Sequence, residues 1–293
     1  MTSYKNFSEY HIPKIDRRLS EMIKSIEAPT ILKEAMNYSL AAGGKRVRPL
    51  FLLAVLDLLK VNHSEALTVG STIEMIHTYS LIHDDLPSMD NDDYRRGELT
   101  NHKVYGEALA ILAGDGLLTF SFGVLSRLQA VSAEEKLELI NQMSQAAGAE
   151  GMVGGQVLDI ESESKIISVE ELEMIHINKT GALLTYSIEA GAILAAADVQ
   201  TKKALREFGF HIGLAFQIQD DILDIEGTTE VLGKTAGKDV ASEKNTYPAF
   251  LTLAGAKSKR DWHYNQAIQC LRTISNEPVM LDEIAAYIIN RNK

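Results

Sequence analysis

Residues 181–197 read GALLTYSIEAGAILAAA. A helix of this composition is apolar nearly all round, so it has no side made for water and belongs at the centre of a bundle. Outward from it, the chain from Ser88 to Tyr247 contains no proline and is dominated by Ala, Leu, Ile, Glu and Met, mostly good helix formers. Apolar residues recur at three- and four-residue spacing, as in Leu109, Leu112, Ala113, Leu117 and Phe120. Ser132 with Glu135, and Ser168 with Glu171, each form a Ser-x-x-Glu capping box opening a helical run. No segment sustains the apolar–polar alternation of a strand. Two polar stretches, Asp159–Ser168 and Glu226–Asn245, read as loops, and no Pro-rich or Gly/Ser-rich linker divides the chain. The expectation is all-α: one large domain built as a bundle of long helices.

The 293 residues carry 45% hydrophobic and 24% charged side chains, as ordinary globular proteins do. A formal charge of −11 argues against general nucleic-acid binding, which needs excess Lys and Arg, but leaves room for small anions at a local basic cluster. A single cysteine, Cys270, excludes an internal disulfide. The N-terminus has no apolar core of a secretory signal. Runs such as Leu50–Leu56 and Ala192–Ala197 are too short to span a bilayer. A cytoplasmic address without a membrane span is expected.

Two acidic clusters end apolar helical sequence. The first is LIHDDLPSMD, residues 81–90, with Asp84, Asp85 and Asp90; the second is QIQDDILD, residues 217–224, with Asp220, Asp221 and Asp224. Asp220 and Asp224, four residues apart, share a helix face. Asp84 and Asp90 would diverge by roughly 120° on an unbroken helix. Pro87 disturbs the ladder, and a local bulge around Pro87 and Ser88 is expected to return Asp90 to Asp84. One acidic run is more often a solvated helix end; two after buried helices favour a hard divalent cation, best magnesium. Cations come in groups: Gly43-Gly44-Lys45-Arg46-Val47-Arg48-Pro49, Arg95-Arg96, Lys179 between Asn178 and Thr180, then Lys234 and Lys244. The glycines let backbone approach an anion, and Arg and Lys suit phosphate oxygens. Taken singly each is more often a surface charge, except Lys179, whose surroundings look buried.

In order, GGKRxRP (43–49), DDxxxxD (84–90), RRG (95–97), NHKVYGE (101–107), AGD (113–115), MVGGQxxD (152–159), KTGALL (179–184), FQIxDDxLD (216–224), GK (233–234) and KxTYP (244–248) resemble the trans-prenyltransferases, or polyprenyl synthetases, and among them the bacterial farnesyl diphosphate synthases. The resemblance implies a helix bundle around a deep cavity and a homodimer. It implies magnesium, three ions per site with manganese able to substitute, held by Asp84, Asp90 and Asp220 within motifs that include Asp85 and Asp221. Arg95, Lys179, Lys234 and Lys244 would hold an allylic diphosphate. Gly44, Lys45, Arg48, His77 and Arg96 would bind isopentenyl diphosphate. Thr180, Gln217 and the Lys179 carbonyl would face an allylic cation. Tyr79, roughly 7.5 Å below Asp84 along a helix, with small Ser80 beside it, would set product length near farnesyl; a geranylgeranyl or geranyl product is the alternative.

Other classes fit part of the pattern. Glu74-x-x-His77 and Glu173-x-x-His176 repeat the carboxylate-bridged di-iron signature, and His83-Asp84 suits a metal phosphohydrolase. Neither uses Lys45, Arg48, Arg95, Arg96 and Lys179. A non-catalytic synthase subunit would not need both intact aspartate motifs. The C-terminal Asn290-Arg291-Asn292-Lys293 is given no role.

Overall fold

The computed structural model describes residues 3–163, 165, 167–226, 245–277 and 279–291. The chain runs through α1 (Tyr4–Ser25), α2 (Thr30–Ala41), α3 (Val47–Leu58) and α4 (Ala66–Asp84). A short ribbon, β1 (Tyr94–Arg95) and β2 (Glu98–Leu99), precedes α5 (Asn101–Tyr105), α6 (Glu107–Ser126), α7 (Ala133–Ala147), α8 (Met152–Ser162) and α9 (Val169–His176). A π-helical turn, Ile177–Gly181, leads into α10 (Ala182–Leu194), followed by α11 (Val199–Glu226), α12 (Tyr247–Arg272) and α13 (Met280–Asn290). The fold is all-α as expected, with the two-residue strands a small addition.

Helix α10, from the opening stretch, is central: it packs on α3 and α11 and also touches α4 and α7. Gly191 makes the closest approach, because a Cβ there would sit 2.8 Å from the Leu52 carbonyl oxygen. Phe51 and Phe208 meet edge-on across this layer, ring centres 6.1 Å apart. Both capping boxes form, with reciprocal bonds Ser132–Glu135 and Ser168–Glu171 opening α7 and α9.

One sequence expectation is corrected. Asp159–Ser162 is the last turn of α8 rather than loop. Helix α6 has, by length and composition alone, the apolarity of a membrane span, a test that a core helix also passes. Its one side is core, with Ala110, Ala113 and Leu117 fully buried, while Ile111 and Leu112 lie exposed.

Candidate active site

The first aspartate cluster closes α4. The helix stops at Asp84 instead of bulging onward: Asp85 N–H donates to Leu81 O and Leu86 N–H to His83 O, and Pro87 has no N–H to continue the ladder. The chain folds back, and Asp90 N–H donates to Asp84 O at 2.8 Å. Asp90 thus returns beside Asp84 by a reversal of the chain. Burial, with the neighbouring charges of Asp90 and Asp85, raises the Asp84 carboxyl to about 6 against the pull of Lys179 and Arg95. Such crowded, desolvated oxygens suit a hard cation that would relieve their repulsion.

Asp85 is buried and faces a different partner. It accepts from Arg95 Nε at 2.7 and 2.9 Å and from Nη2 at 2.5 Å, a forked pair. The ribbon explains why: Arg96 and Gly97, both at positive φ (55° and 84°), form a tight turn that sends successive arginines apart. Arg95 goes to Asp85, and Arg96 crosses to donate to the Gly43 carbonyl. A Cβ on Gly44 would lie 2.7 Å from the Arg96 guanidinium, so Gly44 here makes room for a cation.

The three cations of residues 45–48 divide. Arg46, in left-handed backbone, turns inward, 2% exposed, donating to Asp16 and Glu74 at 2.8 Å each and to Leu40 O at 2.5 Å. Its role is architectural. Arg48 points into the cavity described below, and burial, with Arg96 nearby, lowers it to about 10. Burial and the charges of Arg48, Arg96, Arg95 and Arg46 hold His77 well below its usual range, leaving a neutral imidazole. Lys45 lies exposed on the loop before α3.

Lys179 and Thr180 sit in the π-helical turn, where Ala182 N–H reaches back to Ile177 O. Such wide turns mark functional sites because they re-aim side chains and loosen carbonyls from the ladder. Two glycines grip this one: a Cβ on Gly155 of α8 would fall 2.1 Å from Lys179 N, and one on Gly213 of α11 3.0 Å from Gly181 Cα. Lys179 Nζ donates to Asp159 Oδ2 at 2.5 Å.

The second cluster lies on α11. Asp221 is buried, accepting from Tyr247 N–H at 2.9 Å with His176 Nε2 3.6 Å away. It therefore anchors α12 to α11. Asp224 is buried too, and neither carboxylate oxygen has a hydrogen-bond partner among the described residues. Asp220 accepts from Arg291, a residue given no role from sequence. Asp220 and Asp224 share a helix face; the charge of Asp220 acts on Arg48, though neither aspartate lines the cavity described below. Gln217 is half-buried one turn before it. Lys234 and Lys244, and most of the expected loop Glu226–Asn245, lie outside the described residues.

Helices α3, α4 and α8 and the π turn line a cavity of about 400 Å³ with Arg48, His77, Tyr79, Ser80, Asp84, Lys179 and Thr180, and with Met152, Val153, Val157 and Ile160 as its apolar part; Asp220 and Gln217 of α11 and Arg95 and Arg96 of the ribbon are not in its lining. Its charged and titratable groups come from α3, α4 and the π turn, and α8 supplies mainly apolar side chains together with Gln156. Tyr79 is buried at the wall, and burial together with Asp84 raises its phenol to about 12. The α8 wall was missed in the sequence, although Met152, Val153, Val157 and Ile160 are an amphipathic stripe within the quoted MVGGQxxD stretch and its end. Asp159 was quoted there without a role.

The di-iron pattern does not assemble. Glu74 binds Arg46, Glu173 pairs with Lys259 at 2.8 Å, and His176 faces Asp221. Among the described residues no three His, Cys, Asp or Glu converge on one point, Asp84, Asp90 and Asp220 included, so these three would share a divalent ion only with phosphate oxygens or water completing its shell. His83 turns toward α6, its Nε2 3.1 Å from Ile111 O, in space kept open by Gly114.

Residues 29–285 match the family model described as polyprenyl synthetase. A farnesyl diphosphate synthase of Geobacillus stearothermophilus is 49% identical, covering 99% of this chain and 98% of its own. A chloroplastic geranylgeranyl pyrophosphate synthase of Capsicum annuum is 44% identical over 98% of this chain and 79% of its own. The crystal structure of an FPP/GFPP synthase from Zymomonas mobilis superposes with a TM-score of 0.84 at 38% identity, covering 98% of each chain. Two aspartate clusters on long helices, a lysine in a π turn and an apolar cavity beside the first cluster occur here in a chain that matches over nearly its whole length: it belongs to the polyprenyl synthetase family.

Proposed function

We propose that this chain is a magnesium-dependent prenyltransferase that joins isopentenyl diphosphate to dimethylallyl and then geranyl diphosphate, giving (2E,6E)-farnesyl diphosphate. The reading rests on one observation above all: the apolar cavity of about 400 Å³ carries Asp84, Lys179 and Thr180 together with Arg48 and His77. An anionic head with a hydrocarbon tail fits that division. Asp84, Asp90 and Asp220 would hold the magnesium, which when bound supplies positive charge against the departing diphosphate. Arg95 and Lys179 would hold the allylic diphosphate, with Lys234 and Lys244 assisting, once freed from Asp85 and Asp159. Gly44, Lys45, Arg48, His77 and Arg96 would hold isopentenyl diphosphate, with neutral His77 as a hydrogen-bond donor rather than a further charge.

The chemistry needs no nucleophilic side chain. Heterolysis of the allylic C–O bond sends its electron pair to diphosphate. The isopentenyl double bond then forms the new C–C bond, and a proton passes to a diphosphate oxygen. Thr180, Gln217 and the Lys179 carbonyl would offer oxygens that stabilise the cation without trapping it, and the apolar side chains of α8 would shield it from water once substrate fills the cavity. We read residues 1–293 as one domain and the enzyme as a homodimer: exposed Ile111 and Leu112 on α6 give an apolar face that a second copy would cover. A geranylgeranyl product is the second reading, favoured by small Ser80 beside Tyr79 in the cavity wall.

Incubating the protein with magnesium, isopentenyl diphosphate and each allylic diphosphate, then sizing the products, tests this. Asp84→Ala and Asp220→Ala should each lower turnover by about 10²–10³. Near-normal rates in both would overturn the assignment.

A further inference from the structure

We propose that Arg291 is a displaceable latch: its guanidinium covers Asp220 in the unloaded enzyme and must leave before divalent cation and diphosphate occupy that carboxylate. The inference deepens the proposed function and rests on its reading of Asp220.

The latch is made of several contacts on one turn of α11. Arg291 donates to an Asp220 carboxylate oxygen and, at 3.2 Å, to Phe216 O. Its guanidinium carbon lies 4.1 Å from the centre of the Phe216 ring. Gln219 Nε2 donates to the Arg291 carbonyl at 3.2 Å, and Gln219 Oε1 accepts from Arg260 Nη1 at 2.7 Å, so the latch is itself held by a second arginine. Only 7% of the Arg291 side chain is exposed, against 38% for Asp220.

Two features make the latch releasable. Arg291 Nε is buried without a hydrogen-bond partner among the described residues, so the seated guanidinium is incompletely satisfied. Arg291 also stands just past α13 in extended backbone (φ −66°, ψ 146°), so it can swing away with no helix unwound. The carboxylate oxygen that accepts from Arg291 is the kind of lone pair a divalent cation needs, and a fixed guanidinium next to such cations is repelled. Occupancy by one excludes the other. The pair thus sets a threshold: Asp220 is neutralised until cation and diphosphate arrive together.

Calorimetric titration of magnesium with inorganic pyrophosphate into the full chain tests this. Arg291→Gln should bind the pair about fivefold more tightly than the parent, the factor a partly exposed ion pair can supply. In parallel, tryptic cleavage after Arg291, read by mass spectrometry, should be slow in the parent without ligand. It should accelerate on adding magnesium and pyrophosphate, and already be fast in Asp220→Asn. Equal or weaker binding by Arg291→Gln, or cleavage indifferent to ligand and to Asp220→Asn, overturns the latch while leaving the metal role of Asp220 intact. Unchanged binding in Asp220→Ala overturns that role and the latch with it.

Discussion

Replacing Asp84 by Asn should stabilise the enzyme when no metal is present. The structure places this carboxyl at the end of α4, desolvated and crowded by Asp90 and Asp85, with its pKa raised from 3.8 to about 6. A carboxyl whose folded pKa exceeds its unfolded one favours folding below the unfolded value, and that favour is lost as pH rises through the folded value. The window here runs from 3.8 to about 6. At about 1.4 kcal/mol per pKa unit, a fully ionised Asp84 costs at most about 3 kcal/mol. Water at the cavity mouth screens part of it, so roughly 1–3 kcal/mol is expected. Unfolding entropy of about 2.1 cal/mol/K per residue turns this into a rise of about 2–5 °C in Tm for Asp84→Asn near pH 8. The gap should shrink to about half by pH 5. Differential scanning calorimetry with chelator, at both pH values, measures it. Adding magnesium and pyrophosphate should reverse the order, because only the parent gains the ligand's stabilisation. Asp84→Asn melting with or below the parent at pH 8 without metal would refute the electrostatic reasoning.

Gly155→Ala would put a methyl group 2.1 Å from Lys179 N; displacing the π turn by about 1 Å should lower kcat about 10²-fold while the helical circular dichroism stays unchanged. Glu74→Ala would leave Arg46, 2% exposed, without one of its two carboxylates, costing about 3–5 kcal/mol by urea denaturation. Tyr79→Ala would open the cavity wall below Asp84 and should lengthen the prenyl product; chromatography showing an unchanged fifteen-carbon chain would remove Tyr79 from the control of length.

Periodicity and capping were legible because they are local. Ser132 with Glu135 and Ser168 with Glu171 cap the helices their spacing predicted. The featureless apolar face of residues 181–197 demanded the central position that α10 occupies. The two acidic clusters were legible as a pattern along the chain, but not that Asp85 would pair with Arg95 and Asp221 would anchor α12 through Tyr247. The return of Asp90 to Asp84 was foreseen from Pro87, but its form was not: whether a chain bulges or reverses depends on which carbonyls the following N–H groups find.

Sequence by itself determined the helical class, the chemistry on offer and the order of the motifs, because these follow from side-chain period and residue type along the chain. Only the tertiary structure decided which charge meets which. Arg46 and Arg48 are two residues apart, yet one is locked between Asp16 and Glu74 and the other faces the cavity. Arg291 reaches Asp220 across 71 positions, and Gly155 owes its smallness to Lys179. Such partners are chosen by how helices pack, and packing brings together residues whose distance along the chain carries no signal of their nearness in space.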